Sequence, residues 1–546
     1  MILKERRKLI YSSILSFLLT IMLAIGWIYD ELGGIKALHG NNLVLLVLIS
    51  ILVFIAFLSV GNLLLDRCCL QNNRIRRKNK CWYLQILEMH PFLTAFITLL
   101  VLYVPYLIMS YPAIFMSDTK DSICDGLGIS VRPTTHHTFA YIKLIALLIN
   151  GGHAITGSWN ASAAIASAVQ FTLLISIISY GIYVLIKYAE VPSIYASFLI
   201  IYYAVNPKIV NYTCVLTKDI YYVAFFYLFL ISIFFIYKQG LNIKNLIIAT
   251  ISLLGVTLFR KDGIYVAVFS LVALLFFISK RDKKYIVLLI TFIVAFSACL
   301  NVFVEDVLQI PSGSKREMLS IPLQQMGRYV NEYPKEINET QQQIILENFS
   351  FSTVEDMGNS YNPSLSDPIK NSFEYKSNDI FKVWLQLGLK RPGVYIESFL
   401  ANYYQYFYPF SQFDSIASSY TASETLMGYT NDGYTPEDAL NSDFHYPQAL
   451  NSTRLKYESV REKIFSIFPF SILNSPGILT WCLLLLTLVG FYKKNYLVVA
   501  LALPLWFVSL ICFASPCNGY FCRYQYPIFV TLPWIITIDA NNKYSS

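Results

Sequence analysis

The stretch FLTAFITLLVLYVPYLIMSYPAIFMSDTKDS, residues 92–122, runs from an apolar segment straight into a polar one. About 20 apolar residues span a bilayer as a helix, so the carboxylates of DTKD sit where such a helix leaves the membrane. The pattern repeats along the chain. Of its 546 residues 55% are hydrophobic and 14% charged, against roughly 25% charged in soluble domains. The charges are bunched between apolar runs of about 15 to 25 residues. This predicts an all-α polytopic membrane protein, since a transmembrane barrel alternates polarity instead. The net charge of +8 is then a topology signal and gives no reason to expect a nucleic-acid partner. Usage rich in Ile, Lys, Asn, Tyr and Phe fits an AT-rich bacterial genome, which points to a bacterial plasma membrane.

Lys and Arg orient the spans. KERRK at 4–8 precedes the first span and places the N-terminus inside; it does not read as a cleaved signal peptide. Spans are expected at about 9–28, 43–65 and 92–110, with the basic connector DRCCLQNNRIRRKNK (66–80) cytoplasmic. The segment TFAYIKLIALLINGGHAITG (138–157) is apolar but carries Lys143 and ends in Gly-Gly-His. Read as a span, it would put KRDKK (280–284) and YKKN (492–495) outside, so it is read as a helix lying on the outer membrane surface. Further spans follow at about 161–186, 191–206, 219–237, 245–259, 264–279, 285–303, 476–491, 496–512 and 525–539, for about 12 in all. Four regions result: 1–91, two spans and a basic loop; 92–303, a membrane core with an external loop 111–160; 304–474, an external, mainly soluble domain; and 475–546, the last spans with a cytoplasmic C-terminus. The ten cysteines are scattered and read mostly as small apolar residues; Cys517 and Cys522 flank a short external loop where a disulfide is an alternative.

On this topology five separate pieces bring polar residues to one membrane face: DTKD (118–121), HH (136–137), TKD (217–219), RKDG (260–263) and FCRYQYP (521–527). External loops are normally poor in Lys and Arg, yet Lys120, Lys218, Arg260, Lys261 and Arg523 fall there, which suggests an anionic ligand. If 118–121 is helical, Asp118 and Asp121 share a face. Such a pair suits general-base work on a hydroxyl or a divalent metal, Mg or Mn, held by oxygen ligands; a solvated turn with a capping aspartate is the plainer alternative. His136 and His137 suit proton transfer, phosphate contact or metal binding. Arg260 can clamp a phosphate bidentately, with Asp262 orienting or neutralising it, and Gly263 eases the turn. His153 and His445 read as structural or surface residues.

These motifs resemble the GT-C superfamily of membrane glycosyltransferases, whose mark is an acidic motif in a long first external loop just after a transmembrane helix, with interfacial helices in that loop. The run YPAIFMSDTKDS, then HH, TKD, RKDG and RYQYP, is similar to an uncharacterised bacterial multi-spanning family related to those enzymes. The resemblance covers roughly 100–300 and the last spans. It departs at Thr138, where proline would follow the histidines, and at Ala113, where glycine would follow Pro112. The resemblance implies inverting transfer of a sugar from a polyprenyl phosphate or diphosphate to an envelope glycan, lipid or protein acceptor outside. It assigns Asp118, Asp121, His136 and His137 to catalysis, Lys218, Arg260, Arg523 and Tyr524 to the lipid phosphate, and Lys120, Asp219 and Asp262 to support. The competing readings are a flippase of lipid-linked glycans, which would need charges along a midplane path; an envelope polymerase or ligase using Arg316, Arg328, Arg391 or His445; and a scaffold that binds wall components through 304–474.

Overall fold

The computed structural model describes residues 2–69, 81–130, 134–411, 444, 447–468, 470–473, 475–516 and 522–540. Most of the basic connector, Cys517 of the expected disulfide, and His445 lie outside the described residues. Among the described residues the secondary structure is helical, with three isolated bridges and no strand.

The chain opens with the paired helices α1 (Ile2–Asp30) and α2 (Asn41–Cys69). Then come α3 (Trp82–Met89), α4 (Pro91–Met109), α5 (Ser117–Leu127), α6 (Phe139–Thr156), α7 (Trp159–Lys187), α8 (Ser193–Val205), α9 (Pro207–Thr213), α10 (Lys218–Gln239), α11 (Ile243–Phe259), α12 (Gly263–Leu274) and α13 (Lys283–Val302). Local sequence sets many of these ends. Pro91 opens α4, where its missing N–H costs nothing. Asn206 caps α9 through the amides of Lys208 and Ile209, each at 3.1 Å, and Asn242 caps α11 through the Asn245 amide at 3.0 Å. Gly240 closes α10 at φ 73°, a conformation that side chains resist.

Nine helices among the described residues are long and apolar enough to cross a membrane: α1, α2, α4, α6, α7, α10, α13 and the late helices α22 and α23 defined below. The chain is an all-α multi-pass membrane protein. Twelve spans were expected. The shortfall lies in α8, α11, α12 and the last helix, which are short; α8, at 13 residues, is about 20 Å long against a core of about 30 Å. α6, expected on the surface, is apolar enough to be counted among the nine. It packs against α5, α7 and α11, so close to α7 that a Cβ on Gly152 would lie 2.8 Å from Ser162. Gln170 of α7 bonds the carbonyls of Thr213 and Val215 just before α10.

α10 is the axis of the core. Phe226, Tyr227, Phe229 and Leu230 are fully buried among α7, α11 and the C-terminal helices. A second core, including Leu323, Met326, Tyr329, Ile345, Met357 and Ile380, closes a separate helical unit. It contains α14 (Ser320–Glu332), α15 (Glu339–Asn348), α16 (Val354–Asn359), α17 (Asp367–Asn371), α18 (Asp379–Lys390) and α19 (Pro392–Tyr403). The chain returns through α20 (Asn451–Ser466), α21 (Phe470–Leu473), α22 (Pro476–Lys493), α23 (Tyr496–Ala514) and α24 (Tyr526–Ala540). Buried Trp534 of α24 donates to the Gly181 carbonyl of α7 at 3.0 Å.

Gly263 was expected to free the turn between α11 and α12. The structure gives another reason: a Cβ there would meet the Val256 carbonyl oxygen at 2.0 Å. Overpacking of this kind costs about 1–3 kcal/mol. Gly263→Ala should lower the thermal midpoint in detergent, whereas Gly151→Ala, with nothing within 4 Å and a helix interior that favours Ala, should leave it unchanged or raise it. Equal midpoints for the two variants would rule out the close-approach explanation.

Candidate functional site

Two leads run side by side at the end of the bundle where α4 and α9 finish. The first, residues 110–116, carries the chain from α4 to α5; the second, 214–217, carries it from α9 to α10. Ile114 donates to the Cys214 carbonyl and Leu216 to the Ile114 carbonyl, both at 3.0 Å. Thr119 ties the pair further. Its hydroxyl accepts the Met116 amide at 3.2 Å, as a helix cap does, and donates to the Leu216 carbonyl. Asp118 of α5 and Lys218 of α10 are thereby fixed across from each other.

The acidic stretch 118–121 is helical, as expected, within α5. Asp118 Oδ2 accepts from Arg523 Nη1 at 2.9 Å and faces Lys218 Nζ at 3.7 Å. Lys218 Nζ lies 2.9 Å from Nδ1 of His137. An ammonium only donates, so Nδ1 accepts and the imidazole proton sits on Nε2. That Nε2 is buried without a hydrogen bond and points toward Asp121 Oδ2 at 3.9 Å. Asp118 and Asp121 thus flank one histidine. His136 is exposed, its ring edge-on to His137 at 4.8 Å.

Arg260 meets Asp262, the orienting or neutralising partner expected for it, and Asp219 besides. Its guanidinium holds Asp262 bidentately at 2.8 and 2.7 Å, and Asp219 at 3.3 Å. Asp219 in turn accepts from Tyr212 at 2.7 Å. Arg260 also lies over the rings of Tyr222 and Tyr524, at 5.1 and 4.9 Å. It braces Tyr524, whose ring centre is also 5.1 Å from the Arg523 guanidinium and whose hydroxyl accepts from Arg523 at 3.3 Å. Lys261 donates to Thr135 beside the histidines at 3.2 Å. Half-buried Lys120 makes none of these contacts.

Burial raises the affinity of the Asp118 carboxyl for a proton, but Arg523 and then Lys218 outweigh it and hold the group well below the usual carboxylate range. It stays ionised while those cations remain. The pair does not suit a divalent metal: the Asp118 oxygen already carries two cationic partners, which would repel a third. Among the described residues there is no group of three or more metal-ligating side chains. Two members of the site were not anticipated. Tyr222, four residues after Lys218, shares its helix face and was within reach of sequence reasoning. Tyr212 reaches Asp219 across a helix break, and no local spacing announces it.

Residues 132–545 match a family of unknown function, DUF6020. The chain belongs to the DUF6020 family. No curated protein and no solved structure matches it. The DUF6020 match takes in His137, Lys218, Arg260 and Arg523, whereas Asp118 and Asp121 lie before its first residue.

His137 is 1% exposed. Burial first, and Lys218 second, push its pKa down to about 3, with Asp118 pulling the other way. In the unfolded chain the ring takes a proton near pH 6.5. Between those values the unfolded state binds the extra proton, so stability falls as pH drops. From pH 6.5 to 4.5 the loss should be about 2 kcal/mol, and His137→Gln should remove that part of the pH dependence. Parallel pH profiles of thermal stability for the two proteins would contradict it.

Proposed function

We propose that this DUF6020 member is a GT-C-like glycosyltransferase that moves a sugar from a polyprenyl phosphate or diphosphate to an envelope acceptor outside the bacterial plasma membrane. The observation that carries this reading is the meeting of Asp118, His137, Lys218 and Arg523 from four distant segments at one end of a membrane bundle. With α6 on the surface, twelve crossings bring all of these residues to the outer side. Lys187, Lys238 and the 280–284 cluster then fall inside, as the positive-inside rule requires.

The chemistry follows from charge. A lipid phosphate arriving between Arg523 and Lys218 draws both cations off Asp118. A buried carboxylate that loses its counter-charges becomes a stronger base. Asp118 then takes the proton of the acceptor hydroxyl as its oxygen attacks the anomeric carbon from the face opposite the phosphate. The sugar–phosphate bond breaks with inversion, and the two cations hold the charge gathering on the leaving group. Arg260 and Asp219 keep Tyr524 and Arg523 in place. The polymerase reading is less well supported, since Arg328 and Arg391 are engaged by Glu397 and Glu336.

The test compares cells making wild type or Asp118→Asn at equal levels, with mass spectrometry of envelope sugars and prenyl-linked sugars. The expected result is one envelope sugar lost and its prenyl-linked form accumulating on the outer leaflet, with turnover down by about 10²–10⁴-fold. Build-up on the inner leaflet points to a flippase. A normal envelope with Asp118→Asn, when deletion of the protein alters it, refutes the assignment.

A further inference from the structure

α20 carries charge on the face that packs inward. Arg454, Glu458 and Arg461, spaced to share one side of the helix, are 2, 8 and 5% exposed. Buried charge of this kind is costly unless it does something specific. Arg454 Nε donates to the Met109 carbonyl at 2.7 Å, and its Nη2 donates to the Tyr111 carbonyl. Both carbonyls lie at the end of α4, where the lead to Asp118 begins. Arg461 Nη1 donates to Asn211 Oδ1 at 3.1 Å. Asn211 belongs to α9, where the lead to Lys218 begins. Between the arginines lies a cavity of about 10 Å³, also walled by Ile114 and Cys214, the residues through which the two leads are bonded. Arg461 Nε and Nη2 and Glu458 Oε1 are buried there without protein partners, and the space suits one bridging water.

We propose that α20 is a clamp, and that Arg454 and Arg461 are positioning residues which set the separation of Asp118 and Lys218 by gripping the two leads from behind. Neither arginine meets the substrate. The clamp rests on the transferase reading only for its effect on catalysis; the effect on the leads is independent of it.

Hydrogen exchange of the full chain in lipid nanodiscs tests the clamp directly. Arg454→Lys keeps the charge but loses the fork, and Asn211→Ala removes the Arg461 contact without touching a buried charge. Each should speed exchange of the amides in 112–119 and 214–219 by about tenfold or more, leaving α22 and α24 unchanged. Arg461→Ala combined with Asn211→Ala should be no worse than the more affected single variant, because both remove one contact. In a sugar-transfer assay, Arg454→Lys should lower kcat with KM unchanged. Wild-type exchange in both leads overturns the clamp. Faster exchange with wild-type kcat overturns the positioning role, provided Asp118→Asn is inactive in the same assay. If Asp118→Asn is itself active, the transferase reading has failed, and the exchange data alone decide whether the clamp exists.

Discussion

The contact between Arg523 and Asp118 joins residues 405 apart in sequence, and much of this end of the bundle is arranged around it. Both side chains are largely withdrawn from water, 15% exposed for Arg523 and 17% for Asp118, so each is stabilised by the other's charge. Together they tie the start of the last helix to the first lead, and Lys218 closes the arrangement from α10. The pair is therefore a structural tie between two distant parts of the chain's membrane region.

A second layer holds that tie in place. Arg260 turns its fork on Asp262 and Asp219, and its guanidinium lies 4.9 Å from the centre of the Tyr524 ring. The guanidinium groups of Arg260 and Arg523 both lie within 5.1 Å of the ring centre, and Arg523 also donates to the Tyr524 hydroxyl at 3.3 Å. Tyr524 in turn packs against the buried cluster of Tyr403, Tyr406 and Cys512, to which Ile321, Phe399 and Phe513 also contribute. The helical unit of α14 to α19 therefore touches the site through aromatic packing, while its Arg328 and Arg391 are occupied by glutamates.

Much of this was legible from sequence, for identifiable reasons. Solid apolar runs announce spans without any need for periodicity, so α1, α2, α4 and α10 stand out. The short helices α8 and α12 are read from apolar runs as well, with Lys and Arg used only to assign their sides. The convergence of DTKD, HH, TKD and RYQYP followed from parity of crossings, which places motifs on a side without a structure. Contact is a different matter. Asp262 lies two residues from Arg260 and takes its fork, which the motif RKDG permits but does not require. Arg454 and Arg461 went unnoticed because a helix with charges at every third or fourth position normally shows them to water. Only tertiary packing reveals that this charged face is turned inward.

The boundary at residue 132 has a practical meaning for anyone cutting the gene. A protein trimmed to the matched stretch would discard the carboxylate that Lys218 and Arg523 share. Two like charges would then be left without it, and the last helix would lose that tether. The first 131 residues thus supply an internal counter-ion to the rest.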